Sequence, residues 1–455
     1  MNTSLIRKYN VPGPRYTSYP TVPYWDETPP TEDQWKAKVK ATYEGNKEEG
    51  LSIYIHLPYC ESLCTYCGCN TRITVNHAVE TPYIDTLLKE WQMYVDLLGE
   101  ARLEAPIIKE IHLGGGTPTF FSPENLKRLI QTILERGKLS PEAEMGFEAH
   151  PNNTTAEHMQ VLYDLGFRRL SFGIQDFDPE VQKMVHRIQP FEKVKEATEL
   201  ARKIGYTSIN FDLIYGLPLQ TIDTVKDTIE KTLLLQPDRI AFYSYAHVPW
   251  LKPAQKKFEQ FLPTNEVKRH LYELGKNMLE ENGYHEIGMD HFASKSDSLY
   301  IASQQGKLHR NFMGYSTNST KLLIGLGASS ISDTWTAFGQ NIKSVEAYMK
   351  KVNEGHLPVY RGHLLTAEDL IVRQHILNLM CRFRTSWHDT EANHEILQLA
   401  AERLSEMTKD RIVHIEDHFI EVSEAGKPFI RNVCMALDAR MWRNKPESTL
   451  FSTTI

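Results

Sequence analysis

The sequence predicts an open (β/α)6 partial barrel, with a full eight-fold barrel as the alternative. Six short apolar runs each end at glycine, proline or a polar residue, and helix-forming segments alternate with them between residues 51 and 245. Such alternation implies parallel strands joined by right-handed crossovers. We therefore expect a functional site at the carboxyl ends of the strands.

The predicted strands follow one another through the first half of the chain, at 51–56, 107–113, 145–149, 169–175, 208–215 and 240–245. Helix starts are expected between them. Thr81 before Pro82 predicts an N-cap, and so does Ser122. Thr154 with Glu157 predicts a capping box.

Two further units flank the predicted barrel, which with its extension is expected over 49–355. Residues 1–48 form an N-terminal arm whose segment 8–20, dense in proline and tyrosine, predicts a stiff extended strap. Residues 356–455 predict a mostly helical, winged-helix-like domain. Its amphipathic helices lie around 370–380 and 396–407, and a hairpin pairs 412–416 with 419–422.

Composition limits the functional classes. The 455 residues are 41% hydrophobic and 24% charged, as in ordinary globular proteins, and contain no apolar run long enough to span a bilayer. The net charge of -7 argues against a nucleic-acid partner, so the winged-helix unit is expected to be a structural lid. No signal peptide is evident and cysteine is scarce, which favours a reducing, cytoplasmic setting without membrane contact. Cys381 and Cys434 are expected to be buried.

Four of the six cysteines lie within ten residues. Cys60, Cys64 and Cys67 have the spacing C-x3-C-x2-C, and Cys69 follows after one residue. Three thiolates so close together can hold three corners of a cubane iron–sulfur cluster and leave one iron open for chemistry. A zinc site of all four cysteines is an alternative, although zinc ribbons usually draw ligands from two separated pairs. A disulfide knot would need an oxidising compartment.

Polar and glycine residues follow the predicted strands where each one ends. They are Gly115, Gly116, Thr117, Glu148, Gln175, Asp212 and Ala246. A single strand-end aspartate is often only a helix cap, and a lone arginine such as Arg187 is often a surface ion pair. A series of six strand ends converging on a cysteine loop instead predicts a site.

The cysteine loop, with 54–59 before it and 68–70 after it, resembles the signature loop of radical S-adenosylmethionine (SAM) enzymes. In that superfamily SAM chelates the open iron, and an electron from the reduced cluster splits SAM into methionine and a 5'-deoxyadenosyl radical. Over nearly its full length the chain resembles the oxygen-independent coproporphyrinogen III oxidase family. The matching segments are the strap 13–20, the cysteine loop with its extra Cys69, the Gly-Gly-Gly-Thr-Pro-Thr motif 114–119, the His-Arg-Asn-Phe motif 309–312 and the C-terminal module.

The resemblance implies a [4Fe-4S] cluster held by Cys60, Cys64 and Cys67, with two SAM molecules side by side. It assigns the first SAM to Tyr54, Gly115, Glu148 and Ile331, and the second to Tyr66, Gly116, Thr117, Gln175, Arg187, Asp212 and Ala246. Tyr54, Glu148, Phe312 and Ile331 are expected to be catalytic. Glycines let backbone amides approach a ligand, carboxylates accept from ammonium or hydroxyl groups, and arginine pairs with a carboxylate.

The implied reaction converts the propionates on rings A and B of coproporphyrinogen III to vinyl groups, giving protoporphyrinogen IX in heme biosynthesis. The radical would abstract a hydrogen from the propionate β-carbon, because this C–H bond offers no acidic proton to a general base. Arg15, His309 and Arg310 are expected partners for substrate carboxylates. Met313 stands where some family members carry glutamine, which removes an amide near the expected site.

The resemblance also implies partners and leaves alternatives. Without a second cysteine group, the electron should come from an external protein such as flavodoxin or ferredoxin, and the family implies a monomer.

A heme chaperone paralogue typically lacks the strap and the fourth cysteine, both of which this chain has. A radical SAM methyltransferase acting on heme would differ by methyl transfer. A zinc-binding winged-helix regulator would leave the strand-end series unexplained.

Overall fold

The computed structural model describes residues 3–99, 105–388, 394–444 and 450–454. Its helices are α1 Thr3–Tyr9, α2 Glu32–Gly45, α3 Glu80–Gly99, α4 Pro123–Glu135, α5 Ala156–Asp164, α6 Pro179–Met184, α7 Phe191–Ile204, α8 Ile222–Leu235, α9 Asn265–Glu281, α10 Ser298–Gln304, α11 Val345–Asn353, α12 Ala367–Arg382, α13 His394–Arg403, α14 Ser405–Lys409, α15 Ile430–Leu437 and α16 Ala439–Arg443. Its strands are β1 Leu51–Leu57, β2 Tyr59–Cys60, β3 Arg72–Ile73, β4 Ile107–Gly115, β5 Lys138–Ala149, β6 Arg169–Gln175, β7 Ser208–Tyr215, β8 Arg239–Ser244, β9 Tyr284–Gly288, β10 His291–Ser294, β11 His309–Asn311, β12 Gly314–Ser316, β13 Leu323–Leu326, β14 Ile331–Asp333, β15 Ala337–Asn341, β16 Val359–Leu364, β17 Arg384–Ser386, β18 Val413–Glu416 and β19 Phe419–Val422.

Six parallel strands, β1, β4, β5, β6, β7 and β8, lie side by side in that order at the centre of one large sheet. This confirms the predicted partial barrel, and β6 and β7 have the predicted bounds. The sheet of the described residues runs in an open order from β16 to β9, so the eight-fold alternative is wrong.

The sheet extends beyond the six strands on both sides, which the sequence did not predict. Next to β1 lies β13, which is parallel to it, and β14, β15 and β16 continue antiparallel. Beyond β8 the antiparallel strands β10 and β9 complete a sheet of twelve. The pairing of β13 with β1 joins Ile324 to Ile53, and a partner so remote in sequence leaves no local pattern to find.

The large core lies between this sheet and the helices packed on its outer side. Strand β1 is buried at six of its seven positions, as expected for a parallel strand covered on both faces. Trp35 of α2 and Trp91 of α3 are fully buried in the same core as Phe147 and Phe211 of the strands. Burial of each such side chain contributes roughly 1.5–3 kcal/mol, which fixes the strand ends that carry the site.

Two of the predicted helix starts are wrong by one or more residues. Helix α3 begins at Glu80, as the continuation of a 3-10 turn His77–Val79, so Thr81 lies inside the helix. Helix α5 is capped by Thr155, whose hydroxyl accepts from the His158 amide, while the Thr154 hydroxyl donates to the His150 carbonyl at 2.9 Å. The predicted cap Ser122 is confirmed at α4.

The N-terminal arm contains no helix between Asn10 and Thr21, but α2 follows within the arm, and α1 at its start was not predicted, so the predicted extended strap 8–20 is wrong at Lys8 and Tyr9. The arm packs against the C-terminal unit, where Tyr9, Tyr16 and Tyr19 enter a second hydrophobic core. The Tyr16 hydroxyl donates to Asp438 at 3.0 Å. The strap therefore ties the two ends of the chain together.

The C-terminal unit has the elements of a winged helix. Helix α12, strand β17, helices α13 and α14 and the hairpin β18–β19 follow in order, and β17 joins the hairpin in a three-stranded sheet. The predicted helix 396–407 is divided into two at Leu404.

Cys381 and Cys434 are buried as expected. The domain limits 48/49 and 355/356 stay predictions, and β16 still pairs with β15 of the large sheet. In the described ranges, no helix combines the length and apolar character needed to cross a membrane.

Candidate active site

The cysteine loop leaves the carboxyl end of β1 and is closed at its base by a pair of short strands. Strands β2 and β3 are parallel, and their register places Cys60 opposite Ile73. The Thr74 amide donates to the Cys60 carbonyl at 2.9 Å, and the Thr117 amide donates to the Tyr59 carbonyl at 2.9 Å. These bonds hold the thiol-bearing segment against the glycine motif.

The loop faces a cavity of about 320 Å³ at the top of the barrel. Most of the predicted site residues line it: Cys60, Cys64, Cys67, Tyr66, Gly115, Gly116, Thr117, Glu148, Gln175, Arg187 and Asp212. Cys69 lines it too. Residues that are far apart in sequence therefore meet in one place, as their strand-end positions predicted.

The donor set fits an iron–sulfur cluster. All six cysteines carry free thiols, and the three of the C-x3-C-x2-C pattern are partly buried on the cavity wall. Thiolate sulfur is the donor that such clusters take from proteins. Among the described residues, no three His, Cys, Asp or Glu side chains are gathered closely enough to hold a single metal ion.

Arg187 joins the cysteine loop to strand β6. Its Nε and Nη2 atoms donate to the Gly173 carbonyl at 3.2 and 2.6 Å, and its Nη1 lies 3.6 Å from the Cys64 sulfur. Its side chain lines the cavity. It is therefore not the surface ion pair that an isolated arginine would suggest. Gln175, at the end of the same strand, has a φ of +70°, a left-handed conformation that is uncommon for a residue with a side chain.

The glycine motif after β4 is required by close approach. A Cβ at Gly115, whose φ is +115°, would lie 2.7 Å from the His56 ring, and a Cβ at Gly116 would lie 2.7 Å from the Pro58 carbonyl. Only glycine fits at either position without displacing its neighbour. The Gly115 amide donates to Glu148, and the Gly116 and Thr117 amides donate to the Leu57 and Tyr59 carbonyls, so the turn packs tightly at the cavity wall.

Glu148 is held by hydrogen bonds at the end of β5. The Gly115 amide donates to its Oε2 at 3.3 Å, and His112 Nε2 lies 3.5 Å from its Oε1. Burial alone would raise the pKa of Glu148, but these two hydrogen bonds and the charge of His112 outweigh it, so the pKa lies below the usual value. Glu148 is therefore ionised at neutral pH. Tyr54 lies beside it, its ring stacked on His112 with centroids 6.1 Å apart.

Asp212 behaves in the opposite way. Burial, and then the negative charge of Glu148, raise the pKa of Asp212 to about 6. Asn210 Nδ2 donates to it at 2.9 Å and Ser171 Oγ at 3.1 Å. The residue lies three positions before the end of β7, deeper than the predicted strand end. The pKa of Asp212 therefore lies close to neutral pH.

Ile331 is the first residue of β14. The buried turn before it, which contains Gly327, is held by hydrogen bonds to Glu90 of α3. The Gly327 amide donates to Glu90 at 2.9 Å, and Asn341 Nδ2 donates both to Glu90 at 2.6 Å and to the Gly327 carbonyl at 3.0 Å. The Tyr348 hydroxyl completes this set at 2.6 Å. No sequence pattern pointed to Glu90, because a glutamate in a helix is usually exposed.

Four predicted site residues lie outside the cavity lining of the described chain. They are Tyr54, Ala246, Ile331 and Phe312. Tyr54 adjoins the lining residue Glu148, since both would contact a Cβ at Gly114. Phe312 packs edge-on against Trp25 and Phe338, with centroids 6.4 and 5.5 Å apart.

Arg15, His309 and Arg310, which are expected to bind the carboxylates of the substrate, differ in their surroundings. The Arg15 Nη2 donates to the Ser244 carbonyl at 2.9 Å, and its Nη1 lies 3.4 Å from Asp290. Burial, and then Arg373, lower the pKa of His309 to about 4, so this imidazole is neutral. Arg310 is buried over the Tyr315 ring, and its Nε and Nη1 have no hydrogen-bond partner among the described residues.

Sequence reasoning missed the residues that line the barrel below the site. A second cavity of about 120 Å³ shares Glu148, Asp212 and Tyr243 with the first and reaches His291 and Met313. Tyr243 and Ala241 occupy alternate positions of β8 and both line this second cavity. That period of two was the available signal. Met313 lines this second cavity.

Comparison with known proteins shows which family the chain resembles. Residues 54–232 match the family model of the radical SAM superfamily. An oxygen-independent coproporphyrinogen III oxidase of Helicobacter pylori strain J99 is 40% identical over 439 residues, covering 95% of each chain. The protein of that name from Escherichia coli K12 is 36% identical over 458 residues, covering 99% of this chain and 98% of its own. A solved structure described as coproporphyrinogen III oxidase (HemN) from Escherichia coli, a radical SAM enzyme, superposes with a TM-score of 0.88 at 34% identity, covering 96% of this chain and 98% of its own.

The partial barrel and its three-thiol loop thus define a radical SAM protein, a class whose members carry a [4Fe-4S] cluster and use SAM. Identity of this extent over almost the whole length narrows the class further. The chain belongs to the oxygen-independent coproporphyrinogen III oxidase family.

Proposed function

We propose that this chain converts two propionate side chains of coproporphyrinogen III to vinyl groups without oxygen, giving protoporphyrinogen IX in heme biosynthesis. One observation carries the proposal: the three thiols line the same cavity as Glu148 and Asp212. Full-length relatives that bear the corresponding name support the choice of substrate.

The site provides for a cluster and for SAM. A [4Fe-4S] cluster bound by Cys60, Cys64 and Cys67 supplies, when reduced, the electron that cleaves SAM to methionine and a 5'-deoxyadenosyl radical. The guanidinium of Arg187 stabilises negative charge at the Cys64 sulfur, to which it lies 3.6 Å. Gly115 and Gly116 of the glycine motif line the same cavity as the thiols, which supports contacts between this turn and SAM.

Two SAM molecules are part of the proposal. The first contacts Tyr54, Gly115, Glu148 and Ile331, and the second contacts Tyr66, Gly116, Thr117, Gln175, Arg187, Asp212 and Ala246. Ionised Glu148 suits an ammonium group, and Arg187 suits a carboxylate. Glu148 and Arg187 line the same cavity, so its wall offers both an acceptor for an ammonium group and a partner for a carboxylate.

The substrate chemistry explains why the chain supplies few acids and bases. Each propionate would lose a hydrogen atom from its β-carbon to the deoxyadenosyl radical and then lose carbon dioxide and one electron, which an external electron acceptor would take up, leaving a carbon–carbon double bond. No side chain has to remove the β-hydrogen as a proton. Arg310 is proposed to pair with a substrate carboxylate, because two of its buried nitrogens lack partners among the described residues. Neutral His309 is a weaker choice.

The electron donor, the assembly and the compartment also belong to the proposal. The two cysteines outside the loop, Cys381 and Cys434, are buried and far apart in sequence, which suits an external donor such as flavodoxin or ferredoxin. We propose a monomer in a reducing, cytoplasmic setting, where free thiols persist.

The experiment is an anaerobic turnover assay on cluster-reconstituted protein with SAM, a chemical reductant and coproporphyrinogen III, with the porphyrin products followed by mass. Loss of two carboxyl groups per substrate, abolished by Cys64→Ala and retained by the buried-cysteine control Cys381→Ala, is the expected result. SAM cleavage without decarboxylation would contradict the proposed substrate. Heme binding or methyl transfer in that preparation would then favour a heme chaperone or a methyltransferase.

A further inference from the structure

The turn after β5 places an imidazole at the cavity that the three thiols line. His150 directly follows Ala149, the last residue of β5, and it is one of the residues that line this cavity. The His150 carbonyl accepts from the Asn153 amide at 3.0 Å. It also accepts from the Thr154 amide at 3.1 Å and from the Thr154 hydroxyl at 2.9 Å. These bonds fix the backbone that carries the imidazole.

The surroundings of the ring determine which of its nitrogens carries the proton. The Asn152 amide donates to His150 Nδ1 at 3.2 Å, so this nitrogen is an acceptor. Burial, and then the positive charge of Arg187, lower the pKa of His150 to about 3, so the ring is neutral at neutral pH. In a neutral ring whose Nδ1 accepts, the proton is on Nε2. His150 therefore offers one N–H donor, and this Nε2 has no hydrogen-bond partner within the described ranges.

Two asparagines tie the same turn to neighbouring segments of the cavity wall. Asn152 Nδ2 donates at 2.8 Å to the carbonyl of Ile188, the residue after Arg187. Asn153 Nδ2 donates to Glu61 of the cysteine loop at 2.7 Å. The first bond holds the turn near Arg187, which lines the same cavity.

The carboxylates of the cavity wall are not the partners of His150 or Arg187. Three carboxylates line the cavity, and each accepts from other groups: Glu61 from Asn153, Glu148 from the Gly115 amide, and Asp212 from Asn210 and Ser171. In the part of the chain that the structure describes, none of the three is hydrogen-bonded to His150 or Arg187. A cation and a neutral donor thus lie near each other on the wall without an anionic partner from the protein.

We propose that His150 and Arg187 together bind the carboxylate of the second SAM, with His150 Nε2–H donating to one of its oxygens. This inference rests on the proposed function, which assigns that SAM to Arg187. A carboxylate can accept from an arginine and an imidazole at once, because its two oxygens offer about four acceptor positions. Arg187 uses three of its five N–H groups on Gly173 and Cys64, which leaves two for such a ligand.

The carboxylate is the part of SAM that suits both groups. An adenine nitrogen or a ribose oxygen would also accept from Nε2, but only the carboxylate carries the negative charge that a guanidinium attracts. Arg187 provides the charge, and His150 adds a donor of fixed direction.

The experiment separates the donor at Nε2 from the turn that carries it. In His150→Asn, the side-chain oxygen can still accept from the Asn152 amide, but no donor reaches the position of Nε2. In His150→Gln, the amide nitrogen lies as many bonds from Cα as Nε2 does and restores the donor. His270→Asn, on the exposed side of α9, is the matched control.

Each protein is reconstituted with its cluster, and iron and sulfide analysis gives the cluster content. Calorimetric titration then measures the affinity for SAM and for decarboxylated SAM, which lacks the carboxylate. His150→Asn should bind the second SAM about tenfold more weakly than the wild type, because a hydrogen bond to a charged acceptor is lost. His150→Gln should recover most of the affinity, and His270→Asn should equal the wild type. Decarboxylated SAM should bind His150→Asn as tightly as it binds the wild type.

Three results would overturn the inference. One is an unchanged SAM affinity in His150→Asn, and another is an equal loss in His150→Gln, since the position of the donor would then not matter. The third is an equal loss for SAM and decarboxylated SAM, which would assign His150 to the adenine or the ribose. The proposed function fails separately, if wild-type protein that binds SAM does not decarboxylate coproporphyrinogen III.

Discussion

The guanidinium of Arg187 lies 3.6 Å from the sulfur of Cys64, and its other two nitrogens donate to the Gly173 carbonyl at the end of β6. The positive charge of Arg187 is therefore held beside Cys64, a predicted ligand of the cluster. Because Arg187 is anchored on the strand, its position does not depend on the cysteine loop. The charge beside the sulfur is a fixed feature of the fold.

Replacing Arg187 by glutamine should make the bound cluster harder to reduce. Loss of a positive charge next to a ligand sulfur disfavours the reduced state and should lower the reduction potential by an amount on the order of 50 mV. Spectroscopic redox titration measures the shift. Arg168→Gln is the matched control, because Arg168 donates to backbone carbonyls on the outer surface. A potential equal to that of the wild type would show that Arg187 does not stabilise charge at the cluster.

Replacing Glu148 by glutamine should weaken SAM binding without loss of the cluster. The ionised carboxylate is proposed to accept from the SAM ammonium group, and charge-assisted hydrogen bonds contribute roughly 1.5–3 kcal/mol, so the affinity should fall about tenfold to a hundredfold. Equilibrium binding to the reconstituted protein gives the affinity, and iron and sulfide analysis gives the cluster content. Glu199→Gln, on the exposed face of α7, serves as control. Unaltered SAM affinity would remove Glu148 from the proposed binding set.

SAM affinity should fall as the pH decreases through about 6. Asp212 has a raised pKa of about 6, so its carboxylate is ionised above that pH and becomes neutral below it. A neutral acid accepts more weakly from a ligand hydroxyl or ammonium group. Binding measured between about pH 5.5 and about pH 8 should therefore show a step near 6, and Asp212→Asn should abolish the step. A step of the same size in the variant would assign the titration to another group.

The buried carboxyl of Glu90 should give the protein a characteristic dependence of stability on pH. Burial raises the pKa of Glu90 to about 7, although Tyr348, Gly327 and Asn341 donate to it. Its favourable contribution is complete below the unfolded-state pKa, near 4.5, and is lost as the pH rises through about 7. The free energy of unfolding should therefore decrease over that interval.

Glu90→Gln should remove this slope and destabilise the fold by about 1–3 kcal/mol, because one amide oxygen cannot accept all three hydrogen bonds. Denaturant unfolding at several pH values measures both effects. Glu199→Gln should retain the wild-type slope. A slope that persists in Glu90→Gln would show that another buried group, such as Asp176, is responsible.

The sequence predicted the six central strands because each is a short apolar run with a local stop signal. It located most of the site for the same reason, since the carboxyl ends of parallel strands meet. It failed where the determinant is remote, as in the pairing of β13 with β1 or the contact of Glu90 with Gly327. The misplaced cap at Thr154 has a local cause: its hydroxyl bonds to His150, and Thr155 takes the capping position.

The most direct test of the proposed reaction follows the hydrogen atom itself. The reconstituted protein would be incubated anaerobically with SAM, a reductant and coproporphyrinogen III carrying deuterium at the propionate β-carbons. If the deoxyadenosyl radical abstracts this hydrogen, the 5'-deoxyadenosine recovered should carry deuterium for every vinyl group formed. Vinyl formation with deoxyadenosine free of deuterium would contradict the account.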